Sequence, residues 1–191
     1  MYLFSFIESW AFIVLIDMGY YETLESLKQQ LLNALKLLEP KYPMEPQPTE
    51  NCRKIYNTAK SLLGVDASPA DIAPDYLSCA ESVWNIIHKA TGKKIGGPFP
   101  IVSTKVLYET LKNDPGFESV IESEAPIGSI IISPTGYAMN PRSTGHCGIV
   151  ARFGILSNSS ETSHLEENYT LESWRRYFGD RGFPVIFFKM L

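Results

Sequence analysis

Residues 75–92, DYLSCAESVWNIIHKATG, have the pattern of an amphipathic helix with a cysteine in its first turn. Ser78 followed by Glu81 fits the S-x-x-E capping box, which predicts Ser78 as the N-cap and Cys79 as the first helical residue. Four apolar side chains share the face of the thiol at helical spacing: Val83, Ile86, Ile87 and Ala90. His88 points almost opposite, so it is not a candidate partner for Cys79. The helix needs another layer to cover this stripe.

Two interpretations of Cys79 are open from this stretch alone. A cysteine on an apolar stripe is often a small core residue. A first-turn position beside the positive end of the helix dipole lowers the pKa of a thiol and favours the thiolate, the form that attacks carbonyl groups. A base that faces the thiol would favour the second interpretation, in which Cys79 is a nucleophile rather than a core residue.

The order of helical and strand patterns predicts the fold class. Helical patterns cover 51–64, 75–92 and 103–113, and apolar β-branched runs predict strands over 128–133, 146–153 and 183–191. Helices that come first, antiparallel strands that come later and no βαβ repeat together predict an α+β fold. Trp174 belongs to a further helical pattern, which favours a packing role for its side chain.

The candidate base is His146, which begins the predicted strand 146–153. Alternation along a strand puts His146 on one face and Cys147 on the other, so Cys147 is expected in the core. If the helix packs on the sheet, Cys79 and His146 meet across that interface and the imidazole can take the proton of the thiol. The alternative is a histidine at a loop edge with no chemical role. His164 is expected in a solvated loop.

A third group must hold the imidazole ring in place. Gly154 predicts a tight hairpin whose returning segment brings Asn158 alongside His146. With a three-residue loop Asn158 shares the face of His146, whereas with a two-residue loop it does not. Ser157 is the alternative orienting residue.

The N-terminal part has a different pattern. Residues 1–39 combine an apolar run at 10–16 with leucines at helical spacing, which predicts helices that self-associate, pack or contact a membrane. The run is too short to span a bilayer, and the first basic residue, Lys28, comes too late for a secretory signal. Four prolines mark 40–50 as a linker. Residues 51–191 are therefore the predicted working domain.

Bulk composition narrows the function classes. The 191 residues are 45% hydrophobic, which is enough for one sizeable core. A net charge of -4 without any long Lys/Arg run gives no basic surface for nucleic acid. The three cysteines, at 52, 79 and 147, are too few for a disulfide framework and lack the spacing of a zinc site. No metal or cofactor is predicted.

The motifs together resemble those of a known family. The segments IGSIIISPTG (127–136) and GHCGIVARFGILSN (145–158) resemble the NlpC-type cell-wall peptidases. That family has a papain-like fold in which a helix-borne cysteine faces a small antiparallel sheet. With ENYTLESWRRYFGDRGFPVIFF (167–188), the pattern is more similar still to phage- and bacterium-encoded members of this superfamily. The resemblance covers roughly residues 51–191.

The resemblance implies a cysteine hydrolase that cleaves an amide bond in bacterial peptidoglycan peptides and therefore acts on the cell wall. Cys79 matches the nucleophile, His146 the general base and then acid, and Asn158 the third, orienting residue. Better-known members carry an aspartate before the cysteine, where this chain has Ser78. They also carry an upstream tyrosine that helps bind the oxyanion, and Tyr76 has a different spacing.

Three alternatives accompany this hypothesis. An amidase or acyltransferase of the same superfamily would share the acyl-enzyme. A catalytically inactive virion or wall-binding module would have a Cys79 that reacts no faster than Cys52 or Cys147. In the third, residues 1–39 are the active part, as a membrane-active or oligomerising device that carries the rest as cargo.

Overall fold

A computed structural model describes four stretches of the chain: 24–31, 46–68, 78–140 and 143–191. Contacts between residues divide the chain into two compact units, Met1–Met44 and Glu45–Leu191. In the first unit, residues 24–31 are helical, as predicted, and three leucines on this helix are each 63% exposed: Leu24, Leu27 and Leu31. The rest of the predicted segment 1–39 lies outside the described residues. Among the described residues, no helix combines the length and apolar character that crossing a membrane requires.

The described part of the second unit combines four α-helices with one six-stranded antiparallel sheet. The elements are α1 (Glu50–Ser61), α2 (Cys79–Thr91), α3 (Thr104–Asn113), β1 (Phe117–Val120), β2 (Ile130–Ser133), β3 (His146–Val150), β4 (Ile155–Asn158), β5 (Leu165–Tyr169), α4 (Leu171–Phe178) and β6 (Ile186–Met190). The strand order is β1-β6-β2-β3-β4-β5, and every neighbouring pair is antiparallel. The prediction of an α+β fold is confirmed.

The three predicted strands correspond to β2, β3 and β6, and β4 is the returning segment of the predicted hairpin, whereas β1 and β5 have no counterpart in the predictions. They are the two edges of the sheet. Each carries one buried apolar residue, Phe117 in β1 and Leu165 in β5, among mostly polar neighbours. Edge strands of this kind bury little apolar surface and carry charged side chains, so their sequences lack the alternation that marks a strand.

Helix α2 begins at Cys79, one residue after the N-cap Ser78, as predicted, but the capping box is not formed. Ser78 has φ -80 and ψ 6 instead of the extended backbone that points an N-cap side chain at the first turn. Its hydroxyl makes no capping bond and accepts instead from Asn158 Nδ2 at 2.6 Å. Glu81, the expected partner in the box, is buried and only 1% exposed.

Two hydrophobic clusters cover the two faces of the sheet. The helix-side cluster joins the apolar stripe of α2 with side chains from α1, α3 and alternate sheet positions, including Cys147 and Ile149 of β3. The α4-side cluster contains Trp174 and Phe178 with the intervening sheet positions, such as Ile131. The predicted alternation along β3 is therefore confirmed, and Cys147 is a core residue with 0% exposure.

Candidate active site

A cleft of about 710 Å³ lies where the first turn of α2 meets the start of β3. Its lining residues come from several elements and loops: Cys79, Val102, Ser103, Thr104, Thr135, Thr144, Gly145, His146, Asn158, Ser159, Ser160, Glu161, Asn168, Tyr169, Tyr177 and Phe178. The three residues predicted from the sequence, Cys79, His146 and Asn158, all line this one cleft. The helix-on-sheet packing thus brings together residues that are far apart in the chain.

Cys79 lines the cleft with only 8% of its surface exposed, and two neighbours favour its thiolate. A hydrogen bond from the Cys147 thiol lowers the pKa of Cys79 most strongly, and burial opposes it. The charge of His146 and a hydrogen bond from its side chain lower the pKa further. The net result is a Cys79 pKa well below the ordinary value of a thiol.

Hydrogen bonds fix the tautomer of the His146 imidazole. His146 Nε2 lies 2.9 Å from Ser157 Oγ, and the Ser157 hydroxyl donates to Asn168 Oδ1 at 2.6 Å. A serine hydroxyl has one proton, and here Asn168 accepts it. The Ser157 oxygen must therefore accept from His146 Nε2–H. This leaves Nδ1 as the ring nitrogen that can take the proton of the Cys79 thiol.

The prediction that Asn158 shares the face of His146 is wrong. In the β3–β4 hairpin Val150 pairs with Ile155, which leaves a loop of four residues. A loop of four residues, like the two-residue alternative, has an even length and therefore puts Asn158 on the face opposite to His146. Ser157, the alternative orienting residue, therefore lies on the side of the imidazole. Asn158 lies on the side of Cys147, where its amide donates to Ser78 Oγ next to the nucleophile.

Asn168 reaches Ser157 because of a β-bulge, and no sequence pattern predicts this contact. Strands β4 and β5 pair Ile155 with Tyr169 but Leu156 with Glu167, so Asn168 is the extra residue. A bulge redirects the side chain of the unpaired residue. Here the amide oxygen of Asn168 ends 2.6 Å from Ser157 Oγ. No pattern in LEENY distinguishes this residue from its polar neighbours.

Aromatic side chains of the α4-side cluster support the imidazole from behind. The His146 ring is stacked with Trp174 at 5.4 Å between centroids and with Phe178 at 5.8 Å, and Tyr169 approaches edge-on at 5.7 Å. Trp174 is 0% exposed, and its indole N–H donates to Ser133 Oγ at 3.1 Å. The predicted packing role of Trp174 is confirmed, and what it packs against is the candidate base.

Backbone contacts fix the segment that leads into His146. A side chain at Gly145 would place its Cβ 2.1 Å from the carbonyl oxygen of Ser133, so only glycine allows this approach. The Gly145 N–H donates to Thr135 Oγ1 at 2.8 Å, and Thr135 Oγ1 lies 2.9 Å from Thr104 Oγ1. In the loop 137–144 that precedes this segment, Thr144 lines the cleft, and 141–142 lie outside the described residues.

The start of α2 supplies the candidate donor for an oxyanion. The first N–H groups of a helix have no partner within it. Cys79 is the first helical residue, so its N–H is one of these groups and lies next to the thiol. It is the candidate donor to the carbonyl oxygen that the thiolate attacks. Tyr76, considered for the same task, lies outside the described residues.

The other histidines lie away from this chemistry. His88 contacts Trp84, with ring centroids 5.2 Å apart, and is not a lining residue of the cleft. His164 is exposed, as predicted. In the described stretches, no three His, Cys, Asp or Glu side chains are grouped as metal ligands would be.

The arrangement can perform nucleophilic chemistry at a carbonyl carbon. It contains a thiol with a lowered pKa, a facing imidazole of fixed tautomer and a first-turn N–H that can bind an oxyanion. Comparison of the sequence with models of known protein families gives no match, and comparison with curated proteins finds no relative.

Proposed function

We propose that this protein is a cysteine hydrolase that cleaves an amide bond through an acyl-enzyme. One observation carries the proposal: Cys79 lines an open cleft together with His146, whose imidazole lowers the pKa of the thiol and is bound at Nε2 by Ser157. A buried cysteine with a structural role alone needs neither the cleft nor the oriented base. A helix-borne cysteine on an antiparallel sheet also supports a papain-like fold.

In the proposed reaction His146 Nδ1 takes the Cys79 proton and the thiolate attacks the amide carbon. A C–S bond forms while the carbonyl π electrons move to the oxygen, where the Cys79 N–H binds the negative charge. Collapse of this intermediate breaks the C–N bond, and the imidazolium protonates the departing amine. Water, deprotonated by the same imidazole, then releases the acid and regenerates the thiol.

The proposed substrate is the peptide part of bacterial peptidoglycan. The resemblance of 127–136 and 145–158 to NlpC-type peptidases supports this choice. The cleft is consistent with a polar peptide, because Ser103, Thr104 and Ser160 are among its lining residues. The bond cleaved is either within the stem peptide or at its junction with the sugar, and the cell wall is the proposed place of action.

Digestion of purified peptidoglycan tests the substrate and the nucleophile together. We expect the wild type to release fragments that have gained one water, and Cys79→Ala to release none above background. Cys52→Ser is the matched control, because Cys52 is a buried helix-borne thiol away from the cleft, and it should retain activity. Fragment masses identify the bond and separate a peptidase from an amidase. Without release by the wild type, the binding-module alternative gains support.

Thiol labelling tests the nucleophile without a substrate. The lowered pKa of Cys79 means that its thiolate persists as the pH falls below the range in which ordinary thiols are protonated. We therefore expect iodoacetamide to label Cys79 rapidly below about pH 7, while Cys52 and Cys147 label slowly. Peptide mass spectrometry gives the rate at each position. Equal and slow labelling at all three positions would contradict an activated Cys79.

Ser157 is a positioning residue that acts through His146, and its removal should have an intermediate effect. Ser157→Ala leaves the imidazole without its acceptor, so we expect kcat to fall about 10- to 100-fold with KM nearly unchanged. Thr162→Ala is the control, because this exposed hydroxyl bonds Glu166 outside the cleft. A rise in KM with kcat unchanged would assign Ser157 to substrate binding instead.

A further inference from the structure

Cys147 is a buried thiol that has no reacting role in the proposed hydrolysis. Strand β3 directs it to the helix side of the sheet, where α2 packs, and it belongs to the same hydrophobic cluster as Cys79. Both are free cysteines, and in this packing each thiol is near enough to shift the pKa of the other. A nucleophilic thiol with a second thiol beside it is the arrangement of proteins that trap an oxidised cysteine as a disulfide.

We propose that Cys79 and Cys147 form a reversible disulfide when a hydroperoxide oxidises Cys79, and that this modification switches the site off. As a control of activity, the inference rests on the proposed hydrolase function. The disulfide itself rests only on the placement of the two thiols.

Exposure determines which thiol meets the oxidant first. Cys79 lines the cleft, so a small hydroperoxide reaches it from solvent. Cys147 and Cys52 are both 0% exposed and are not lining residues of this cleft. Burial also raises the pKa of Cys147, which keeps it a thiol and therefore unreactive towards the oxidant. Cys147 is thus reached only through Cys79.

The chemistry balances in two steps. The Cys79 thiolate attacks one oxygen of the hydroperoxide, so that an S–O bond forms and the O–O bond breaks. The departing alkoxide, or hydroxide in the case of hydrogen peroxide, takes a proton from the His146 imidazolium. The sulfur loses the two electrons that the peroxide gains, and Cys79 becomes a sulfenic acid. The Cys147 sulfur then attacks the Cys79 sulfur: an S–S bond forms, the S–O bond breaks, and hydroxide leaves as water with the Cys147 proton.

The experiment treats the full chain with a molar excess of hydrogen peroxide, blocks remaining thiols and maps peptides without reduction. We expect a linked pair of peptides that contain Cys79 and Cys147, and loss of the rapid iodoacetamide labelling of Cys79. Dithiothreitol should restore the labelling. Cys147→Ser keeps a hydrogen-bond donor but no sulfur, so its Cys79 should proceed to sulfinic acid, which dithiothreitol does not reverse. Cys52→Ser is the control and should behave as the wild type.

The outcomes separate this inference from the proposed function. The linked peptides are sought in the wild type, so the result does not depend on the folding of any variant. Sulfinic acid at Cys79 of the wild type without the linked pair, or a link to Cys52, would overturn the inference. If the reduced protein digests peptidoglycan and peroxide inactivates it irreversibly, the inference fails while the proposed function stands. If the linked pair forms but the reduced protein digests nothing, the proposed function fails and the disulfide stands.

Discussion

His146→Ala is expected to lower kcat/KM for peptide hydrolysis by at least about 10³-fold. The imidazole supplies the proton acceptor for the thiol and the proton donor for the departing amine, so its removal affects both halves of the reaction. It also takes away a charge and a hydrogen bond that lower the pKa of Cys79. In the variant, rapid labelling of Cys79 should therefore begin at a higher pH than in the wild type.

Two measurements on the same variant check this prediction. The first is the rate of fragment release from peptidoglycan, and the second is the pH dependence of iodoacetamide labelling at Cys79. His164→Ala is the matched control, since this histidine is exposed and outside the cleft lining, and it should leave both values unchanged. Labelling of Cys79 that keeps the same pH dependence without His146 would show that the imidazole does not interact with the thiol.

Trp174→Ala is expected to lower the free energy of unfolding by about 3–5 kcal/mol. The indole is 0% exposed and lies 4.7 Å from the Phe178 ring and 5.4 Å from the His146 ring, measured between centroids. Its removal leaves a cavity in the α4-side cluster. It also takes the donor away from the buried hydroxyl of Ser133, which adds a desolvation cost.

Urea unfolding followed by circular dichroism measures this loss. Trp174→Phe fills most of the volume but lacks the N–H, so it should lose much less stability and separate the cavity from the hydrogen bond. Tyr177→Ala removes a neighbouring aromatic ring that is 45% exposed, and it should cost far less than Trp174→Ala. A loss below about 1 kcal/mol for Trp174→Ala would contradict a central packing role.

The sequence alone predicts the helix-borne thiol and its apolar face because both depend on local spacing. Helix α2 begins at Cys79, and its stripe lies in the helix-side cluster as the period of the pattern requires. The placement of Cys147 follows from alternation along β3 for the same reason. These features need only the periodicity of a single element, which one stretch of sequence contains.

The orienting group of the imidazole is harder to predict because it depends on pairing between strands. A hairpin loop of odd or even length moves the following strand by one residue, and this decides whether Ser157 or Asn158 faces His146. The bulge that presents Asn168 arises between two strands and leaves no local pattern. The absence of the predicted capping box has a similar cause. The Ser78 hydroxyl is bonded to Asn158, which lies on a strand far away in the sequence, rather than to its own helix.

The thiol and the imidazole belong to different halves of the core, so the reactivity of the site reports whether both halves are folded together. Cys79 is part of the helix-side cluster, whereas the His146 ring rests on the α4-side cluster across the sheet. The reacting pair therefore exists only while both layers are docked. Local opening of either layer would separate the pair before the chain unfolds globally. Loss of rapid Cys79 labelling under mild denaturant would mark that earlier event.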